Sequence, residues 1–347
     1  MDKKYFRSIG FILKMKREHV LLLIPRDYNL YELIERALES MGYRVTVVHN
    51  EYQFQYKSLR QRLHNVFRKI VYKDKIFKRT LVEAYSSSKQ EELINIGSEF
   101  YDFCLVFRAD FFSPKVLLQA KAKSRNMVAY QYDGLKRSPS IFDLIQYFDA
   151  FYVFDSSDVE NYPQYNLRKT NNFYFKDKNI TGDIKSFDYD FYFLGSFHKS
   201  RLEILNKLSS FFKLNGIKFD FNIVFQKENR GYIKRHENVN ALYEMLPFSE
   251  YLSKVAKSKF ILDLLIEEHQ GLSFRIFEAL YLRKKVVTTN QTIKNYDFYH
   301  PDNFFIFGDR NLKELIPFLK GEYVDLDETI IEKYSFENWF NNIRSNL

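Results

Sequence analysis

Residues 270–280, Gln-Gly-Leu-Ser-Phe-Arg-Ile-Phe-Glu-Ala-Leu, carry the densest chemistry in this sequence, between an apolar strand-like run and a helical pattern. Gly271 permits close backbone approach, Ser273 is placed to cap the helix, and the free amides of that helix N-terminus form a ready site for a diphosphate. Arg275 and Glu278 are three residues apart and so share one helix face. Arg275 can neutralise a phosphate, while the Glu278 carboxylate suits a vicinal diol such as ribose. The bland alternative is an Arg–Glu pair on an ordinary helix, and the preceding glycine turn argues against it.

Other patterns offer less. Asp188-Tyr-Asp190 matches a metal-binding Asp-x-Asp pattern, but it precedes its strand and reads as part of a linker. The seven histidines form no His-Glu-x-x-His or Cys/His cluster, so no zinc site is expected. No Gly-x-Gly-x-x-Gly or Walker loop occurs, which argues against a nicotinamide dehydrogenase or a P-loop ATPase. The single cysteine, Cys104, lies in an apolar run and reads as a buried hydrophobe.

The elements that would position these residues follow from hydrophobic patterning. Apolar strands are expected at 19–25, 44–49, 101–107, 127–132 and 150–154, with helices at 30–41 and 113–123 and a short one at 90–96. A polar stretch at 176–188 reads as a linker. A second alternating unit then runs through strands at 191–194, 219–225, 260–266 and 286–289, with helices at 201–214, 248–256 and 274–282. Uniformly apolar strands alternating with amphipathic helices indicate parallel sheets covered on both faces. The expected fold is therefore α/β: an N-terminal Rossmann-like domain over residues 1–180 and a C-terminal one over 181–347, facing a central cleft. Residues 330–343 should pack back on the N-terminal domain through Trp339 and Phe340.

The segment at 270–290 resembles the donor-binding region of GT-B glycosyltransferases, in which an acidic residue, a glycine-containing turn and a second glutamate hold a nucleotide sugar. Glu278 matches the second glutamate; Gln270 stands at the first acidic position, so its sugar contact would be neutral. Phe193-Leu-Gly-Ser196 with Lys199 and Arg201 is similar to the opening strand and phosphate-contacting turn of the C-terminal GT-B domain. Tyr132-Asp133, Phe154-Asp155 with Asp158, and Thr288-Thr-Asn290 are similar to bacterial transferases of the lipopolysaccharide and capsule type. The resemblance implies donor contacts from Ser196, Lys199, Arg201, Gln270, Gly271, Ser273, Arg275 and Glu278. It also implies transfer of a sugar from a nucleotide sugar to a lipid-linked saccharide or polysaccharide precursor, with no metal or other cofactor.

Transfer to an alcohol needs a proton acceptor, and positive charge or a helix dipole on the leaving diphosphate. Asp133 is the first choice for the base and Asp110 the second, because each follows an apolar strand of the N-terminal half. Either could instead cap a helix or orient a loop. Lys199, Arg201 and Arg275 are the candidates for the diphosphate.

The chain has 347 residues, 46% of them hydrophobic and 28% charged, which excludes a disordered protein. Its net charge of +9 is concentrated at residues 57–79, where nine basic residues oppose one acid, Asp74. Leu59, Leu63, Val66, Phe67, Ile70 and Val71 recur there at helical spacing. The segment reads as a solvated helix packed by its apolar stripe or, more sharply, as an anchor to anionic lipid through Lys57, Arg60, Arg68, Lys69, Lys73 and Arg79. Nucleic acid is ranked below the membrane, because no nucleic-acid-binding motif occurs. No signal peptide or membrane-spanning run is read, so the expected location is cytoplasmic, peripheral on the inner face of the membrane. A nucleotide-sugar 2-epimerase and a non-catalytic basic binding protein are the alternatives.

Overall fold

The computed structural model describes residues 17–347 apart from 75, 99, 178–185, 228, 230, 233–237 and 267–269. Two parallel six-stranded sheets organise the chain. The first contains β1 (His19–Ile24), β2 (Arg44–His49), β3 (Phe103–Phe107), β4 (Met127–Gln131), β5 (Ala150–Val153) and β6 (Arg168–Lys169), in the order β2-β1-β3-β4-β5-β6. The second contains β7 (Tyr189–Ser196), β8 (Phe219–Val224), β9 (Asn240–Leu242), β10 (Ser258–Asp263), β11 (Val286–Thr288) and β12 (Phe304–Ile306), in the order β12-β11-β10-β7-β8-β9. All pairings are parallel, and the strands β1, β3, β4 and β5 are buried on both faces. That burial is why their sequences read as unbroken apolar runs.

The helices of the first unit are α1 (Leu30–Ser40), α2 (Leu59–Val71), α3 (Ile76–Gly97), α4 (Pro114–Ala122) and α5 (Ser156–Asn161); all lie against the first sheet except α2, which packs on α3. Those of the second are α6 (Lys199–Leu214), α7 (Phe248–Ala256), α8 (Phe274–Tyr281), α9 (Leu315–Lys320) and α10 (Glu328–Glu332), and the last, α11 (Phe336–Ser345), crosses back to the first unit. The architecture is the GT-B arrangement of two Rossmann-like halves whose strand ends face a shared cleft. The boundary at 180/181 and most of the linker at 176–188 lie outside the described residues.

One end of the chain ties the halves together. In α11, Trp339 packs on Phe107, Tyr130 and Phe173, and Phe340 meets Phe103 edge-on at 5.6 Å. Arg344 then clamps both carboxylate oxygens of Glu18 at 2.8 and 3.0 Å. Two consecutive lysines do comparable work at helix ends, where carbonyls lack partners. Lys284 donates to the carbonyls of Val255, Ala256 and Ser258 at the end of α7, and Lys285 to those of Phe318, Gly321 and Glu322 at the end of α9.

The helix expected at 90–96 is the last third of the longer α3. The break between α2 and α3 is set by Lys73 in a left-handed conformation and by Asp74, whose carboxylate accepts the amides of Ile76 and Phe77 at 2.9 and 3.0 Å.

Candidate functional site

A cavity of about 260 Å³ lies between the carboxyl ends of the two sheets. Asp27 and Tyr28 follow β1, Arg108 follows β3, Tyr132 and Asp133 follow β4, and Gly195 and Ser196 end β7. β1 and β3 are adjacent but connect to opposite sides of their sheet, as do β7 and β10. The cavity therefore sits over both topological switch points, where loops diverge and ligands enter α/β sheets.

The C-terminal wall is built by α8. Ser273, Phe274 and Arg275 at its N-terminus line the cavity, so the helix dipole points there. Arg275 donates to the Leu194 carbonyl, stacks on Phe193 at 5.2 Å, and lies 3.9 Å from Asp263. It does not pair with Glu278: among the described residues that carboxyl receives one hydrogen bond, from the Tyr251 hydroxyl at 2.8 Å, and its other oxygen has no partner. Glu278 is only 3% exposed. Burial pushes its pKa up to about 7, against the opposing effects of Tyr251 and Arg275. It is therefore not simply the acceptor carboxylate expected from sequence; near neutral pH it both accepts and donates.

The N-terminal wall centres on Arg108, a residue with no role in the sequence reading. Its backbone is left-handed at φ 55°, a costly conformation for a non-glycine residue. It grips Asp110 with Nε and Nη2 at 2.9 and 2.8 Å, reaches Asp133 with Nη1 at 3.1 Å, and stacks on Phe111 at 4.8 Å. Asp110 also accepts from Gln131 and Ser138, at 3.1 and 2.8 Å. Burial alone would raise the Asp110 pKa, but the Arg108 hydrogen bonds and charge outweigh it and hold the carboxyl below its ordinary value. Asp133 is held by Arg108 and, at 2.8 Å, by Arg137. Both carboxylates chosen as bases are thus committed to arginines, and Asp110 is not among the residues lining the cavity.

Asp27 differs. It lines the cavity, and its carboxylate takes no hydrogen bond or ion pair from any described residue. Partial burial raises its pKa; Arg108 opposes this, and Glu51 and Asp110 add to it. The next two residues, Tyr28 and Asn29, are held at φ 61° and 52°. Two successive left-handed residues, at roughly 1–3 kcal/mol each, mark a turn that the surrounding structure enforces. Asp27 lies three residues after the end of β1, and a carboxylate just past an apolar strand is the one sequence signal for it.

Several expected donor contacts are placed differently. Gly271 does not open a diphosphate turn: a Cβ there would lie 2.5 Å from the Phe154 ring and 2.9 Å from the Phe154 carbonyl, so the glycine lets the two halves touch. The flanking backbone completes this seam, with the Gln270 amide on Asp155 at 2.6 Å and the Leu272 carbonyl on Asn172 at 2.8 Å. Gln270 is exposed, and neither it nor Gly271 lines the cavity. Ser273 occupies the N-cap position of α8, but its hydroxyl donates to buried Asp263 at 2.7 Å instead of capping. Arg201 lines the cavity yet is buried and donates to the Ser196 and Leu264 carbonyls, both at 2.9 Å, so it ties β7 to the loop after β10. Lys199 is exposed outside the cavity lining. Ser196, Arg275, Glu278 and Asp133 are brought together as expected.

Asn290 of the Thr288-Thr-Asn290 motif supports the seam by donating to the Gln270 carbonyl at 2.9 Å. Asp158 is buried and accepts the Leu135 amide at 3.3 Å, which places it behind the wall. Asp188 and Asp190 sit at the amino end of β7, away from the cavity, beside Lys257 and Lys259.

No protein-family model and no curated protein matches the sequence. Among solved structures, a glycosyltransferase from Rickettsia africae is 10% identical, with 95% of this chain and 97% of that one covered at a TM-score of 0.49. AviGT4, a glycosyltransferase involved in avilamycin A biosynthesis, is 10% identical with 93% of each chain covered and a TM-score of 0.49. A UDP-N-acetylglucosamine 2-epimerase from Rickettsia bellii is 12% identical, with 95% and 96% covered at a TM-score of 0.48. At these scores the fold assignment rests on the chain's own sheet order and cleft.

Proposed function

We propose that the protein is a glycosyltransferase that moves a sugar from a nucleotide-sugar donor onto a lipid-linked saccharide or a lipopolysaccharide or capsule precursor. The observation that carries this reading is one cleft with an anion-receiving wall on one side and an uncommitted carboxylate on the other. The diphosphate lies against the N-terminus of α8 and Arg275, and the ribose diol meets Glu278, whose second, buried oxygen has no partner among the described residues. Asp27 takes the proton of the acceptor hydroxyl as the new C–O bond forms and the bond from the sugar to the diphosphate oxygen breaks. The charge released on the diphosphate is met by Arg275 and the helix dipole, so this chemistry requires no metal. Asp110 and Asp133 hold Arg108 in place on the acceptor side of the cleft.

A 2-epimerase acting on the same donors is the competing reading, because an uncommitted carboxylate beside a bound sugar can also remove a ring proton. Thermal unfolding across a panel of nucleoside diphosphates and nucleotide sugars tests the shared part. A ligand at 100 times its Kd adds about 2.7 kcal/mol of stability, and Arg275→Ala and Glu278→Ala should each lose most of that gain. No stabilisation by any member of the panel overturns the donor site. Incubating the stabilising donor without acceptor then separates the two readings: an epimerase converts it at C2, whereas a transferase leaves it unconverted.

A further inference from the structure

Helix α2 is packed inside out. Its inward residues are polar: Asn65 donates to the Tyr56 hydroxyl at 2.9 Å, and Arg68 pairs with Asp74 at 2.8 Å while lying over Phe77. Its apolar residues face water. Leu59, Leu63 and Ile70 are 76%, 67% and 71% exposed, and Val66, Phe67, Val71 and Tyr72 are exposed beside them. Ile76 continues the patch across the break into α3. The reading of this stripe as a core-packing face is therefore excluded, since no described residue covers it.

The rim of the patch is basic. Arg60 borders it on one side and Arg62 and Lys69 on the other, with Lys57 before it and Lys73 and Lys78 after it, all exposed. None of these six forms an ion pair among the described residues. The set expected from sequence changes in two places: Arg68 is turned inward by Asp74 and Phe77, and Arg79 is neutralised by Glu83 at 2.8 Å. The one acid of the segment, Asp74, is spent on capping α3 and holding Arg68. What remains exposed is a contiguous apolar face ringed by positive charge, the pattern of a helix lying in a lipid interface.

We infer that α2 docks the protein on an anionic bilayer, with its apolar face among the acyl chains and its basic rim at the headgroups. α2 follows the carboxyl end of β2, the cleft side of the first sheet, so docking brings the cleft close to the membrane surface. The inference stands apart from the nucleotide-sugar reading, because its readout is lipid binding alone.

The test is co-sedimentation of the full chain with vesicles of phosphatidylcholine, with and without phosphatidylglycerol. The wild type should bind the anionic vesicles at low salt and release as salt shortens the Debye length. Lys69→Glu with Lys73→Glu should weaken binding by roughly thirtyfold or more. Leu63→Ser with Phe67→Ser and Ile70→Ser should also weaken it, and since these positions are exposed the variant keeps its thermal unfolding profile. Failure of the wild type to bind anionic vesicles, or equal binding by either variant, overturns the inference. So does a concentration-dependent dimer in sedimentation that the triple serine variant abolishes, which would assign the face to a second copy of the chain.

Discussion

On the N-terminal wall of the cleft Asp110 accepts four hydrogen bonds and Asp133 is gripped by two arginines, whereas on the C-terminal wall Glu278 keeps one oxygen without a partner. Residue type and a position just after an apolar strand make Asp110 and Asp133 candidate bases in the sequence. The structure shows that the first wall spends its carboxylates on fixing Arg108, leaving Asp27 as the uncommitted group there. Availability of lone pairs, set by tertiary partners, separates a reactive carboxylate from a structural one.

The largest expected effect tests that separation directly. Asp27→Asn should lower turnover by about 10²–10⁴, the range for a general base, while nucleotide affinity stays within about twofold of wild type. Asp133→Asn, which leaves an oxygen to accept from the arginines, should lower turnover by less. Steady-state kinetics beside calorimetric nucleotide titration decides it, and a reversed order of the two variants would return the base to Asp133.

Asp110 sharpens the same comparison through stability. Arg108 and Asp110 are both largely shielded from water, and removing one partner of a buried pair typically costs about 3–5 kcal/mol. Asp110→Ala should approach that loss in urea unfolding, and Asp110→Asn should recover part of it. Because the folded-state pKa of Asp110 is depressed, its contribution is complete above the unfolded value and is lost as pH falls through the folded one.

Glu278 should show the opposite sign. Its folded pKa of about 7 is above the ordinary value of 4.5, so the folded state keeps a proton that the unfolded chain releases first. Stability from this group is full below about 4.5 and falls as pH rises toward about 7, a loss on the order of 3 kcal/mol. Glu278→Gln should remove that slope and leave the variant more stable than wild type at pH 8. It should also bind nucleotide better than Glu278→Ala, because an amide still offers a donor and an acceptor to a diol.

What the sequence reveals of this architecture follows a physical division. The strands at 19–24, 103–107 and 127–131 are legible because burial on both faces makes them apolar throughout, and the docking of α11 is legible from Trp339 and Phe340. β6, with two residues, and β9 and β12, with three each, are too short to carry a pattern. The length of α3 is hidden because its apolar residues follow no clear helical period. In the site, Arg275 and Glu278 are visible as a spacing along one helix, while Arg108 and Asp27 are not. Arg108 depends on its left-handed backbone and on Asp133, 25 residues away, and Asp27 on the left-handed turn of Tyr28 and Asn29 that follows it. α2 shows the converse case: the amphipathic period was correct, and only the structure reveals that the apolar side faces out.

The smallest expected effect concerns the seam that holds the two walls at their working separation. Gly271 was read as a turn for the diphosphate, but its neighbours are the ring and carbonyl of Phe154 across the domain boundary. Gly271→Ala must push either the Phe154 ring or the 270–272 backbone aside, and overpacking of this kind costs about 1–3 kcal/mol. The ring edge can yield; the carbonyl at 2.9 Å cannot without shifting the strand end that carries Asp155. Two consequences follow, and they separate a seam from a phosphate turn. Enlarging the neighbour's space with Phe154→Leu should restore part of the stability lost in Gly271→Ala, which a double-mutant cycle in thermal unfolding would register as coupling. Nucleoside diphosphate affinity should fall only modestly in Gly271→Ala, because the α8 amides and Arg275 remain in place. Loss of nucleotide binding without loss of stability would instead restore the glycine to the donor site.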